Sequence, residues 1–174
     1  MNIELHPLST ADGMDIYDML QEIPADENGF MNGMCGRGID DFRLWLTRCM
    51  DASKGIGLED WQVPQSTYWL YVDGKPVGFG KIRHRLTDKL RADGGHIGYA
   101  IRPSCRGKGY GSLQLRMLLQ EAKRLGIDQA LVTIQNGNAP SLRTALGNGG
   151  VIEKVTEEKH YIWLNCDCPD ASTI

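Results

Sequence analysis

The chain has 174 residues, enough for one domain with a core of its own, and its 24% charged and 41% hydrophobic residues are ordinary for a globular protein. No run approaches the roughly 18 apolar residues of a membrane span, and Met1-Asn2-Ile3-Glu4-Leu5 lacks the basic-then-apolar layout of an export signal, so a cytoplasmic setting with no membrane partner is expected. The 19 Lys and Arg against 22 Asp and Glu leave a net charge of −3, which argues against the basic surface of a nucleic-acid binder.

In chain order, residues 2–7 alternate as a strand, with Ile3 and Leu5 on one side and Glu4 and His6 on the other. Ser9 or Thr10 can cap a helix reaching about Glu22, in which Ile16, Met19, Leu20 and Ile23 recur at helical spacing. Residues 24–34 are rich in Gly and Asn and are expected to form a loop. A second helix follows over about 40–50, with Phe42, Trp45, Leu46 and Cys49 on one stripe. Residues 67–72 are aromatic and β-branched, hence a strand. Asp73-Gly74 is a two-residue hairpin turn, and 76–85 is the returning strand. A polar stretch, 87–95, leads to a strand at 96–101, which Pro103 ends.

The segment 109–125 is a helix by its period: Leu115, Leu118, Leu119, Ala122 and Leu125 share a face, and Gly126 sits where a C-terminal cap belongs. Residues 130–135 form a buried strand and 140–146 a short helix, and 151–155 with 160–164 make a last hairpin. No repeat or linker divides the chain, so residues 1–174 are expected to form one α+β domain. The cysteines, Cys35, Cys49, Cys105, Cys166 and Cys168, are odd in number and without framework spacing, as expected of reduced thiols. Cys166-Asp167-Cys168 has no second ligand pair near it, so no metal is expected.

The sharpest signal is Arg106-Gly107-Lys108-Gly109-Tyr110-Gly111, between the strand ending at Ile101 and the long helix. A helix start leaves its first amide N–H groups unpaired and bears partial positive charge, so it suits an anion. Glycines at 107, 109 and 111 remove the Cβ atoms that would hold a phosphate away. Arg106 and Lys108 add charge there, and a pyrophosphate is the expected guest. Two other phosphate motifs fail. A dinucleotide fingerprint needs glycine where Ser112 stands; a P-loop needs Ser or Thr where Gly109 stands and glycine where Arg102 stands.

The turn resembles the coenzyme A-binding signature of the GNAT superfamily of N-acetyltransferases, Arg/Gln-x-x-Gly-x-Gly/Ala, matched at Arg106, Gly109 and Gly111. Its setting after a strand and before a helix, the later Asn138 and Ser141, and the order of the elements before it extend the resemblance over nearly the whole chain. The resemblance implies a mixed, mostly antiparallel twisted sheet with helices on both faces and splayed central strands. It implies acetyl-CoA as acyl donor, an amine on a small molecule or peptide as acceptor and no metal, and it is compatible with a homodimer. The pantetheine arm would pair with the strand edge at Tyr99, Ala100 and Ile101. The pyrophosphate would meet the amides from Gly107 through Lys108, Gly109, Tyr110 and Gly111 to Ser112. Asn138 would hydrogen-bond the arm, with Ser141 beside it; the same Asn138 also suits a plain helix cap ahead of Pro140.

Two departures stand out. Many relatives place a tyrosine acid seven residues beyond that asparagine, where this chain has Ala145. The positions that often hold a base are Ile97 and Gly95 here, with His96 between them. Strict alternation aims His96 at the opposite face, and only a bulge would turn it inward. The other candidate bases are Glu22, Asp26 and Glu27, which would attract a cationic amine. Arg83, His84 and Arg85 would instead grip an acceptor's carboxylate or phosphate. The competing readings are a non-catalytic acyl-CoA-binding regulatory module and a nucleotide-phosphate binder on another α/β fold.

Overall fold

The computed structural model describes residues 1–167; Cys168, half of the Cys-x-Cys pair, lies outside the described residues. The elements are β1 (Ile3–Pro7), α1 (Met14–Glu22), β2 (Asp26–Glu27), β3 (Phe30–Met31), α2 (Ile39–Ser53), β4 (Gln65–Val72) and β5 (Lys75–Arg83). Then come α3 (Asp88–Ala92), β6 (Ile97–Ile101), a 3-10 turn (Pro103–Cys105), α4 (Tyr110–Arg124), β7 (Gln129–Gln135), α5 (Ala139–Gly147), β8 (Val151–Val155) and β9 (Lys159–Asn165). The architecture is α+β, as the sequence indicates.

Two antiparallel sheets form the frame, β1-β4-β5-β6 and β7-β9-β8, with β2-β3 a separate hairpin. One face of the first sheet is covered by α1 and α2, where Ile16, Met19, Leu20, Phe42 and Leu46 bury against Trp69 and Phe79. The opposite face packs on α4, where Leu115, Leu118, Leu119 and Ala122 join Ile82 and Ile97 with residues of β7 and β9. The strand period of two divides these cores: Phe79 and Ala100 face α1 and α2, while Ile97 and Tyr99 face α4.

The sheets touch at one end. His96 N–H donates to Leu131 O at 2.7 Å, and Leu131 N–H donates back to His96 Nδ1 at 2.9 Å. Beyond that junction β6 and β7 form no ladder, which is the splay expected of the central strands. Gly95 makes the junction tight. Its φ is +62°, and a Cβ there would lie 2.4 Å from Leu131 O.

Three details differ from the sequence reading. The first helix starts at Met14, because Ser9 and Asp12 are spent on a turn: Asp12 Oδ2 accepts from Ser9 N–H and Ser9 Oγ from Ala11 N–H. The loop expected over 24–34 contains the β2-β3 hairpin, turned by Asn28 and Gly29 with φ of 52° and 81°. The polar stretch before β6 contains α3, capped by Thr87 Oγ1 accepting from Leu90 N–H. Among the described residues no helix is long and apolar enough to cross a membrane, and Cys35, Cys49 and Cys105 are free thiols.

Candidate active site

The glycine turn lies where the sheets part. Gly107 and Gly109 have φ of +76° and +79°, and nothing lies within 4 Å of where a Cβ would stand on either. Gly109 is the N-cap of α4 and provides no side-chain cap, so the Tyr110 and Gly111 amides have no intrahelical acceptor, while Ser112 N–H donates to Gly109 O at 3.2 Å. Arg106, Gly107 and Lys108 are exposed, whereas the Tyr110 ring packs beside Leu70, Val72 and Val77. Ser112 ties this end of α4 to α5: Asn148 Nδ2 donates to Ser112 Oγ at 3.0 Å and to Thr144 O at 2.9 Å.

The ladder of β6 fixes which backbone groups face the gap. Arg83 N–H donates to His96 O and Arg102 N–H to Val77 O, and with the regular register between these bonds the groups of Gly98 and Ala100 point to β5. The N–H and C=O groups of Tyr99 and Ile101 therefore point outward, toward the gap. The family resemblance puts Ala100 on that edge with Tyr99 and Ile101, but its backbone pairs with Phe79 and its side chain joins the α1/α2 core.

A cleft of about 840 Å³, counted to its open mouth, runs through the gap. Tyr99, Asn138 and Ser141 line it together with Glu27 and Phe30 from the hairpin, so residues far apart in sequence meet in one place. Asn138 Oδ1 accepts from Ser141 N–H at 3.3 Å, which makes it the α5 cap while it also forms part of the wall. The Tyr99 hydroxyl is buried beside the Ser141 and Thr144 hydroxyls. Burial pushes its pKa up, so it stays protonated at neutral pH. Ala145 is fully buried in the core beside α4.

Two arginine–carboxylate bridges fasten the N-terminal segment to the loop after β6. Glu22 accepts from Arg102 Nε and from Ser104 N–H, both at 2.6 Å, and those bonds outweigh burial and lower its pKa. Glu27 takes both terminal nitrogens of Arg106 at 2.8 and 2.9 Å, while Arg106 Nε donates to Ile101 O at 2.9 Å. The motif arginine is thus held between the hairpin and the strand edge.

His96 stands elsewhere. The β5–β6 register has no bulge near it, it is 7% exposed, and its Nδ1 lone pair is used by Leu131 N–H. The ring proton must then sit on Nε2, which leaves no free lone pair for taking a proton from an amine. Burial, with Arg83 and Arg91 adding to it, pushes its pKa from 6.5 down to about 4. Between those values the unfolded chain binds a proton that the folded chain refuses, so stability is retained above pH 6.5 and falls as pH drops toward 4. The loss reaches about 3 kcal/mol. Urea unfolding at pH 7.5 and 4.5 should show a smaller loss in His96→Gln than in the wild type; equal losses would contradict it.

Sequence reasoning missed Lys81, an isolated lysine within a strand, whose Nζ donates to Met31 O at 2.5 Å and whose charge lies over the Phe30 and Phe79 rings. It also missed the hairpin that brings Phe30 there, although Asn28-Gly29 is a strong turn signal. Among the described residues no group of three or more His, Cys, Asp or Glu could hold a metal.

A model of the acetyltransferase (GNAT) family matches residues 35–147. No curated protein matches the chain in sequence. Among solved structures, RimL, a ribosomal L7/L12 α-N-protein acetyltransferase in complex with coenzyme A, aligns with a TM-score of 0.72 at 14% identity, over 97% of each chain. Mycobacterium smegmatis RimJ in complex with CoA-disulfide aligns at 0.71 and 16% identity, over 94% of this chain and 81% of the other. Salmonella typhimurium yncA with acetyl-CoA aligns at 0.60 and 19% identity, over 98% of this chain and 99% of the other. At these identities the likeness speaks to the fold.

Proposed function

Because the chain belongs to the GNAT family of acetyltransferases, we propose that it moves an acetyl group from acetyl-CoA directly to the nitrogen of an amine. The observation behind this reading is the open glycine turn at an uncapped helix start, beside a strand edge that the parted sheets leave unpaired. Acetyl-CoA would supply the activated thioester. The first-turn amides of α4 would hold its pyrophosphate, with Lys108 adding charge, and the outward backbone groups of Tyr99 and Ile101 would take its arm. The Tyr99 N–H, aimed into the gap, would stabilise charge on the acyl oxygen.

An alkyl amine of pKa roughly 10.4 must lose a proton before it attacks. With His96 committed to Leu131, Glu27 is the base we assign. It lines the cleft, and each of its oxygens keeps a lone pair beyond the one Arg106 uses. The protonated Tyr99 hydroxyl, beside Ser141 and Thr144, is the donor we assign to the departing sulfur, in place of the tyrosine that Ala145 replaces. The non-catalytic alternative has no observation in its favour. A cytoplasmic setting goes with this reading, with Cys35, Cys49 and Cys105 as reduced thiols.

Thiol release from acetyl-CoA in the presence of an amine panel tests the reading. Glu27→Gln should lower kcat by about 10²-fold or more and alter the acidic limb of the pH–rate profile. An effect confined to the affinity for acetyl-CoA would limit Glu27 to holding Arg106.

A further inference from the structure

Charge in the cleft is unevenly compensated. Of its carboxylates, Glu27 is taken by Arg106 and Asp93 by Lys159 at 2.5 Å. Lys81 and Arg83 stand two apart on β5, on the face that bears Phe79, and both line the cleft. Lys81 has Met31 O and two aromatic faces as partners. Arg83 Nη1 donates to Gly94 O and Gly95 O, both at 3.2 Å. Among the described residues neither belongs to an ion pair: the Asp93 carboxylate is near enough to favour the charged form of Arg83 but is bonded to Lys159, and carbonyls or ring faces hold a cation without cancelling its charge. The strain shows in Lys81, whose pKa falls to about 8 through burial first and Arg83 second, with Cys49 opposing. Two like charges confined in a partly dry cleft are relieved by an anion.

We propose that Lys81 and Arg83 form an anion subsite for the acceptor, so that the preferred acceptor is an amine carrying its own carboxylate or phosphate. The proposal rests on the acetyltransferase reading above. In the sequence the carboxylates at 22, 26 and 27 and the cations at 83 to 85 point to opposite acceptor classes. The structure tips the balance: Glu22 and Glu27 are already bridged to Arg102 and Arg106, Asp26 accepts from Gly29 N–H outside the cleft lining, and Lys81 joins Arg83. A polycationic acceptor would meet uncancelled positive charge; an anionic one would be drawn to it and its amine steered toward the gap.

Matched pairs of amines test this with acetyl-CoA saturating: an α-amino acid against its amide, phosphoethanolamine against ethanolamine, and spermidine apart. Thiol release should favour the acid of its pair or the phosphate of its pair by about tenfold or more, and the winning pair tells carboxylate from phosphate. Lys81→Met keeps an apolar stem between the rings, and Arg83→Gln removes the second charge. Each should raise the acceptor KM by about 10- to 100-fold, change kcat less, and bring the paired amines toward equality. Thermal protection by acetyl-CoA should stay unchanged in both. Preference for spermidine or the neutral partners, or paired ratios unchanged in Lys81→Met, would overturn the proposal. So would acetyl-CoA protection with no release by any anionic amine. Absence of acetyl-CoA protection in the wild type would instead overturn the acetyltransferase reading itself.

Discussion

In Gly109→Glu, acetyl-CoA should give no thermal protection at concentrations that protect the wild-type protein. A ligand that binds only the folded state at about 100 times its Kd adds about 2.7 kcal/mol of stability, and that increment should vanish. Two independent effects act at this position. The backbone is left-handed, with φ of +79°, a conformation that costs a non-glycine residue about 1–2 kcal/mol. The new carboxylate would also stand at the helix start, where it would take the anion's place and repel a pyrophosphate. Gly109→Ala separates the effects: it should lower stability by about 1 kcal/mol yet keep a measurable acetyl-CoA shift, because nothing lies near its Cβ. Undiminished protection of the Glu variant would remove the glycine turn from the donor site.

Gly95→Ala should be among the most damaging single changes in the protein, at about 3 kcal/mol or more in urea unfolding. The added methyl would meet Leu131 O at 2.4 Å, Leu131 C at 3.0 Å and Val132 Cα at 3.3 Å. Those are backbone atoms, which cannot swing aside as a side-chain end can. Relief would have to come from the two His96–Leu131 hydrogen bonds, which are the seam between the sheets, and from a φ of +62° that alanine disfavours. Gly126→Ala is the control: φ is also positive, at +86°, but the space is open, so a loss near 1 kcal/mol is expected. Similar losses in the two variants would mean that the seam yields easily.

Much of what depends on local spacing is legible in the sequence. The long helices came from their period, the Asp73-Gly74 hairpin from its turn chemistry, and the glycine turn from the demands of an anion on a helix start. The Asn28-Gly29 hairpin was passed over because its strands are two residues each, too short to show alternation. The fates of Glu22 and Glu27 could not be read, since their partners lie 80 and 79 positions away; as bare sequence they look like a solvated acidic loop. His96 was left open between a regular strand and a bulge, and the unbroken register decides it. Ala145, where many relatives place a tyrosine, is closed in by the core, with Gly150 N–H bonded to its carbonyl at 3.0 Å, which the sequence alone does not show.

The arginine–carboxylate bridges bear on how far this chain can be trimmed. The family match begins at residue 35, but both bridging carboxylates precede it. A cut there would deprive β4 of its β1 neighbour and uncover the sheet face on which Ile16, Met19, Leu20 and Ile23 are buried. It would also leave the guanidinium groups of Arg102 and Arg106 uncompensated beside the glycine turn. Part of the electrical balance around the proposed donor site is therefore written about eighty residues upstream of the glycine turn, and a boundary drawn around the recognisable motif alone would separate the two.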